Sequence, residues 1–166
     1  MKQQSVVEAL DLECFMRKAL EQARNAGQQG DIPIGAVLVM DGCIVARGCS
    51  TSQTQQNQLL HAEINTLMNA AQPLWTAGPR WALRDNAVLF TTVEPCPMCL
   101  GATVMADIPH IVFAAFDKNV FSSLSVEQNP YIQRHIKTYL GGVLKNESRA
   151  LIAEFMPQML ATLDGF

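Results

Sequence analysis

Apolar residues recur at spacings of three and four between Asp11 and Ala26, and this spacing places them on one face of a helix. They are Leu12, Phe15, Met16, Ala19, Leu20 and Ala23. Gly27 follows directly and is a residue type that often ends a helix. The pattern therefore predicts an amphipathic helix over 11–26 whose apolar face packs against the rest of the protein.

Two apolar runs follow, over 36–40 and 43–47, and only Asp41 and Gly42 separate them. An Asp-Gly pair suits the left-handed dihedral angles of a two-residue hairpin turn. We therefore predict an antiparallel pair of strands here.

Beyond the hairpin, helical and strand-like segments alternate along the chain. The patterns predict helices over 61–71, 97–106 and 147–156, and Pro157 ends the last of them. They predict strands over 87–92, 110–115 and 138–143. Pro73, Trp75, Gly78, Pro79 and Trp81 mark an irregular connection. This alternation is typical of an α/β protein whose sheet is largely parallel and covered on both faces.

The chain has 166 residues, of which 49% are hydrophobic, and we expect one globular core in a single domain over 1–166. Its 12 basic and 15 acidic side chains leave a formal charge of −3. No more than two basic residues stand together, at Arg17 and Lys18. A nucleic-acid partner is therefore less favoured than a small molecule, unless folding assembles a basic patch.

The composition also bears on the compartment. Glu8, Asp11 and Glu13 interrupt the N-terminal region, so the sequence predicts neither a signal peptide nor a membrane span there. The five cysteines are odd in number and irregularly spaced, which fits a reducing compartment. We therefore expect a cytoplasmic protein.

Three residues have the types and spacing of metal ligands. Cys96 and Cys99 lie three positions apart at the predicted start of a helix, where they share a face and where free N–H groups favour the thiolate. His61 lies at the predicted start of another helix. Two thiolates and one imidazole suit Zn²⁺ and leave the fourth tetrahedral position open, as in catalytic zinc sites.

Glu63 lies two residues after His61 and is predicted to work beside the metal without binding it. Two thiolates and a neutral imidazole cancel the charge of Zn²⁺. The ion therefore lowers the pKa of its bound water less than it would with three histidine ligands, and a nearby base is needed to take the proton of that water. The spacing His-x-Glu followed by Pro-Cys-x-x-Cys resembles the signature of zinc deaminases that act on nucleobases. Deamination of an aromatic amidine would also require protons at the ring nitrogen and at the departing ammonia, and one carboxylate can carry them all. We assign this role to Glu63.

Other interpretations of these residues stay open. The Cys96-x-x-Cys99 pair could be redox-active, although no thioredoxin-like segment precedes it. A closed structural zinc site would need a fourth ligand, and it would leave Glu63 without a role. The candidates for that ligand are Cys43, Cys49, His110 and His135. Trp75 and Trp81 either pack against the body of the protein or form part of a lid over a pocket.

Three segments together resemble the cytidine/deoxycytidylate deaminase superfamily, and within it the branch of tRNA adenosine deaminases, guanine deaminases and fungal-type cytosine deaminases. They are 32–39 (IPIGAVLV), 61–64 (HAEI) and 91–102 (TTVEPCPMCLGA), within a region from 31 to 117. The resemblance implies a cytidine deaminase-like three-layer α/β/α sandwich around a five-stranded mixed sheet. It also implies a Zn²⁺-bound water, Glu63 as the proton shuttle, and often a homodimer.

One position departs from this family pattern. Members of the branch usually carry an asparagine that contacts the base or sugar eleven positions before the ligand histidine, and Ser50 stands there instead. The resemblance also places a substrate-contacting loop after the fourth strand, at Phe116 and Asp117. Ser50, Phe116 and Asp117 are therefore the predicted substrate contacts.

These observations lead to three functional hypotheses. The first is hydrolytic deamination of a free nucleobase, nucleoside or related amino-heterocycle. The second is adenosine-to-inosine editing of tRNA, which segment 32–35 favours and the acidic balance disfavours. The third is a zinc-stabilised module without catalysis. A basic patch at the pocket mouth would favour tRNA, whereas closure of the pocket by segment 75–81 or the C-terminal helix would favour a small ligand.

Overall fold

The computed structural model describes residues 6–120 and 122–163, and its centre is a five-stranded mixed sheet. The strands are β1 (Gly35–Met40), β2 (Cys43–Cys49), β3 (Ala87–Val93), β4 (His110–Ala115) and β5 (Thr138–Leu140). Their spatial order is β2-β1-β3-β4-β5, with β1 antiparallel to both neighbours and β3, β4 and β5 parallel. The predicted α/β fold with a mixed sheet is confirmed.

Helices cover both faces of the sheet. They are α1 (Leu12–Gln28), α2 (Ala62–Asn69), α3 (Ala71–Thr76), α4 (Pro97–Met105), α5 (Ser122–Gln128), α6 (Pro130–His135) and α7 (Lys145–Phe155). Two 3-10 helices, Val6–Ala9 and Pro157–Thr162, lie near the ends of the described chain. None of the helices within the described ranges combines the length and the apolar character that crossing a bilayer requires.

Alternate residues of β1 enter two different cores. Val37 and Val39 pack in one cluster with residues of α1 and α7, whereas Ala36 and Leu38 pack in another with residues of α2 and α3. Because both faces are covered, all six residues of β1 are buried. This explains why the strand reads in the sequence as a continuous apolar run.

The hairpin turn has the predicted conformation. Asp41 and Gly42 have φ values of 51° and 75°, and Met40 pairs with Cys43 across the turn. At the other end of β1, Gly35 lies directly under α1: a Cβ there would be 2.2 Å from the Ala19 carbonyl oxygen. The glycine at this position therefore lets the helix and the strand approach each other closely.

Several predicted boundaries are wrong, and each for a packing reason. The helix predicted over 61–71 is divided at Ala70 into α2 and α3, so Trp75 is helical rather than part of an irregular connection. Helix α1 continues through Gly27, which packs against the Phe155 ring. Strand β5 has three residues instead of six, and directly after it Gly141 lies close against the rings of Phe113 and Phe116.

Gly35→Ala tests the close contact between α1 and β1. The added methyl group would meet backbone atoms of α1 at 2.2 and 2.3 Å, so we expect a loss of about 2 kcal/mol in the free energy of unfolding, measured in urea. Gly78→Ala is the control, because a Cβ at Gly78 meets no atom within 4 Å and should change stability by less than about 0.5 kcal/mol. Equal stability of the two variants would contradict the role given to Gly35.

Candidate active site

Two helices begin beside each other, and each begins at a predicted metal ligand. His61 is the N-cap of α2 and Cys96 is the N-cap of α4, both with extended backbone dihedrals. Neither side chain caps its own helix, and Pro97 occupies the first turn of α4 without needing a hydrogen-bond partner for its nitrogen. The two side chains are therefore available to a ligand between the helix N-termini.

The three predicted metal ligands meet there. Nδ1 of His61 lies 3.6 Å from Sγ of Cys96 and 3.5 Å from Sγ of Cys99, and all three donor atoms lie within 4.8 Å of one another. Zn–S bonds of about 2.3 Å and Zn–N bonds of about 2.0 Å separate the donors of a tetrahedral site by about 3.5–3.8 Å. The donor set and its spacing therefore fit one Zn²⁺ ion.

None of the four candidates for a closing ligand belongs to this cluster. Cys43 is exposed on β2, Nδ1 of His110 hydrogen-bonds to Thr138, and Nδ1 of His135 bonds to a backbone carbonyl of α6. The cluster supplies three protein ligands, which favours a site with an open position over a closed structural one.

The two thiols have opposite tendencies to ionise. The pKa of Cys96 is lowered to about 4, mainly by a hydrogen bond from the Cys99 thiol and also by one from His61. The pKa of Cys99 is raised in turn, because its thiol donates that bond and is largely removed from water. One thiolate therefore forms readily, and binding of a metal to both sulfurs releases a proton from Cys99.

Glu63 is buried beside the ligands, with 4% of its surface exposed. Its Oε1 accepts a hydrogen bond from the Thr91 hydroxyl at 3.1 Å, and its Oε2 lies 3.5 Å from Sγ of Cys99. Burial raises the pKa of this carboxyl group above its ordinary value. Thr91 thus turns one carboxylate oxygen towards the metal ligands.

A cavity of about 160 Å³ opens beside this cluster. Three carboxylates line it, those of Glu63, Glu94 and Asp117, together with Ser50 and the ligands His61 and Cys96. The remaining described residues of the lining are apolar, and no lysine or arginine is among them. The lining therefore combines acidic and apolar side chains.

Two of the three predicted substrate contacts line the cavity, and the third does not. Ser50 is 2% exposed and lines the cavity, with its Oγ 3.2 Å from Oγ of Ser52, and Asp117 lines the cavity as well. Phe116 packs edge-on against Phe113, with the ring centroids 5.1 Å apart, and it does not line the cavity.

The two tryptophans form no lid over this cavity. Trp75 and Trp81 are 71% and 65% exposed, and with Met105 they line a separate cavity of about 340 Å³. Met105 ends α4, whose N-terminus carries the metal ligands, so this second cavity lies at the opposite end of that helix.

Sequence reasoning missed several residues of the site, among them Glu94 and Met159. Glu94 lies inside the segment 91–102 that carries the resemblance, so attention to its acidic side chain could have found it. Met159 belongs to the 3-10 helix at the end of the described chain and has no motif around it. Only tertiary structure brings it to the cavity.

The model of the cytidine and deoxycytidylate deaminase zinc-binding region matches residues 10–115. The chain therefore belongs to this family of zinc-dependent hydrolases that deaminate cyclic amino-heterocycles. The predicted family, the enzyme class and the Zn²⁺ cofactor are confirmed.

The chain is similar to several known proteins and solved structures. The chain is 35% identical to a tRNA-specific adenosine deaminase of Bacillus subtilis over 149 residues, which are 89% of each chain. A solved structure from work on tRNA:A34 deaminases has 33% identity and a TM-score of 0.71, with 83% of this chain and 98% of that chain covered. The guanine deaminase of Bacillus subtilis has 32% identity and a TM-score of 0.57, with 67% and 68% covered.

Cys96→Ala tests the metal assignment. Removal of one of three ligands should lower the zinc content per chain, measured by elemental analysis, together with the midpoint of thermal unfolding, because metal binding and folding are linked. Cys14→Ala is the matched control, since Cys14 is exposed and lies outside the ligand cluster. An unchanged zinc content in the Cys96 variant would exclude Cys96 as a ligand.

Proposed function

We propose that this protein hydrolytically deaminates a free nucleobase, nucleoside or related amino-heterocycle and releases ammonia. The size and lining of the cavity beside Glu63 carry this proposal. A cavity of about 150 Å³ holds one benzene molecule, and pockets for larger ligands begin at about 300 Å³. The 160 Å³ here therefore suits one heterocyclic base.

The end of the described chain closes the cavity on one side. Met159 contributes to the lining, and the backbone N–H of Lys118 donates to the Thr162 carbonyl at 3.1 Å. Leu163 packs in one cluster with Val93 and Ala115, at the ends of β3 and β4. Closure from the C-terminal side is the arrangement that we expect for a small ligand.

The roles of the residues follow from their positions. His61, Cys96 and Cys99 would hold Zn²⁺, which when bound supplies a Lewis acid that makes water a better nucleophile. Glu63 would accept the proton of the attacking water through Oε2, while Thr91 holds Oε1. The raised pKa of Glu63 lets it keep this proton and deliver it to the ring nitrogen.

The second proton follows the same route. After water has added to the amino-bearing carbon, the new hydroxyl group still carries one proton. This proton passes to Glu63 and from there to the amino group, which departs as ammonia. The carbon keeps the oxygen as a carbonyl, so one water and one amidine give one ammonia and one oxo-heterocycle. The burial of Glu63 shields it from bulk water during these transfers.

The relatives favour a second candidate, adenosine-to-inosine editing of tRNA. The Bacillus subtilis relative is a tRNA-specific adenosine deaminase, and the match spans 89% of both chains. The acidic balance of the chain, with a formal charge of −3, gives this candidate less support, because a tRNA backbone is attracted mainly by lysine and arginine side chains.

A substrate panel separates the two candidates. Guanine, adenine, cytosine, their nucleosides, aminated pterins and aminated triazines are incubated with the zinc-loaded protein, and released ammonia is measured. We expect turnover of at least one free heterocycle. If all are inert while deacylated tRNA gains inosine, the first proposal is wrong and the tRNA candidate is correct.

Glu63→Gln tests the proton shuttle on whichever substrate is turned over. The amide keeps the size of the side chain but cannot carry a proton, so kcat should fall at least about 100-fold while zinc content and folding are kept. Glu21→Gln, on the exposed side of α1, is the control and should match the wild type. An active Glu63 variant would refute the assignment.

The family resemblance further leads us to propose a homodimer in the cytoplasm. Sedimentation equilibrium of the zinc-loaded protein should give twice the mass of the 166-residue chain. A species of single mass at all concentrations would contradict the dimer.

A further inference from the structure

Three neighbouring parallel strands bring polar groups to one place beside the cavity. Glu94 follows β3, Asp117 lies just after β4, and Tyr139 lies in β5. The Tyr139 hydroxyl donates to Oε1 of Glu94 at 3.1 Å, and the backbone N–H of Asp117 donates to Oε2 of Glu94 at 3.1 Å. Each oxygen of this buried carboxylate is thus held by a different segment of the chain.

We propose that Glu94 and Tyr139 are a positioning pair that fixes Asp117 and segment 116–120 as one wall of the substrate cavity. This inference rests on the proposed function, because it concerns the binding of that substrate. Neither residue carries a proton in the reaction. Both act through the position of the segment that follows β4.

Segment 116–120 is held by hydrogen bonds along its backbone. The N–H of Asn119 bonds to Oδ1 of Asp117 at 2.9 Å, and the N–H of Val120 bonds to the Asp117 carbonyl at 3.3 Å. Lys118 is tied to Thr162 of the last 3-10 helix. The bond to Glu94 adds the connection to the end of β3, which also leads into the metal ligands.

Tyr139 hydrogen-bonds to Glu94 and does not itself line the cavity. Its ring packs on Phe113, with the centroids 5.0 Å apart, and it is not among the residues that line the cavity. Burial raises the pKa of Tyr139, so its hydroxyl group remains a donor. This hydroxyl meets the lining of the cavity at Glu94, to which it donates, whereas Ser122, its other hydrogen-bonding neighbour, does not line the cavity.

Glu94 depends on these two donors because water reaches it poorly. The residue is 6% exposed, and a buried carboxylate that loses a donor must find another partner. The nearest adjustment is a shift of the segment that supplies the Asp117 N–H. Such a shift moves Asp117 and Val120, which line the cavity, while Glu63 and the metal ligands belong to other elements.

Tyr139→Phe is the central test, with Tyr131→Phe as its matched control. The Tyr131 hydroxyl is 3.8 Å from the sulfur of Met105, away from the cavity. For the heterocycle turned over in the panel above, we expect KM of the Tyr139 variant to rise about tenfold, the factor that corresponds to one hydrogen bond to a charged group. Its kcat should stay within about twofold and its zinc content should be unchanged.

Hydrogen–deuterium exchange reads the position of the segment without any substrate. The Asp117 amide should exchange faster in the Tyr139→Phe variant than in the wild type or in the Tyr131→Phe control. If exchange at Asp117 and KM both stay at wild-type values, the positioning pair is refuted. If the wild type turns over nothing in the panel, the proposed function fails, while the exchange measurement still decides whether the pair holds the segment.

Two substitutions of Glu94 separate positioning from direct contact with substrate. In Glu94→Gln the amide oxygen can accept from Asp117 and the amide nitrogen can donate to the Tyr139 oxygen, so KM should stay near the wild-type value. Glu94→Ala removes both bonds and should raise KM at least as much as Tyr139→Phe does. Equal losses in the Gln and Ala variants would show that the charge itself is needed, and would overturn the proposal.

Discussion

The site depends on the convergence of two helix N-termini whose N-cap residues do not cap. Positions such as His61 and Cys96 usually carry Ser, Thr, Asp or Asn, and a side chain that does not cap leaves the helix less stable by about 1 kcal/mol. Here both side chains face each other across 3.6 Å. Hydrogen bonds from the Cys99 thiol, from His61 and from the backbone of Cys99 favour the anionic form of Cys96, and metal binding offsets the missing caps.

This arrangement explains what could be predicted from the sequence. The ligands lie at element boundaries that local patterns reveal: His61 before an apolar-periodic stretch, and Cys96 before a proline that suits the first turn of a helix. The hairpin at Asp41 and Gly42 was equally predictable, because a two-residue turn is determined by its own dihedral preferences. Sequence patterns therefore predict those parts of the structure that are determined by interactions between neighbouring residues.

The errors occur where tertiary packing decides. Nothing in the apolar pattern distinguishes a single helix over 61–71 from α2 and α3, whose division at Ala70 fits Ala70 and Leu74 into the core under β1. The sequence predicts that Trp75 and Trp81 pack against the body of the protein or form part of a lid, whereas they lie exposed at the far end of α4. Met159 reaches the cavity only because the chain returns over β3 and β4 after α7.

The residues that line the cavity do not all lie within the region that matches the family. The family match ends at residue 115, and it contains all three ligands and Glu63. Asp117, Val120 and Met159 line the cavity and lie beyond that match. Family membership therefore accounts for the deaminase class, whereas these three lining residues come from segments outside the matched region. Glu94 lies inside the matched region but is held by Asp117 and Tyr139, which lie beyond it, so the two parts of the chain meet in the wall of the cavity.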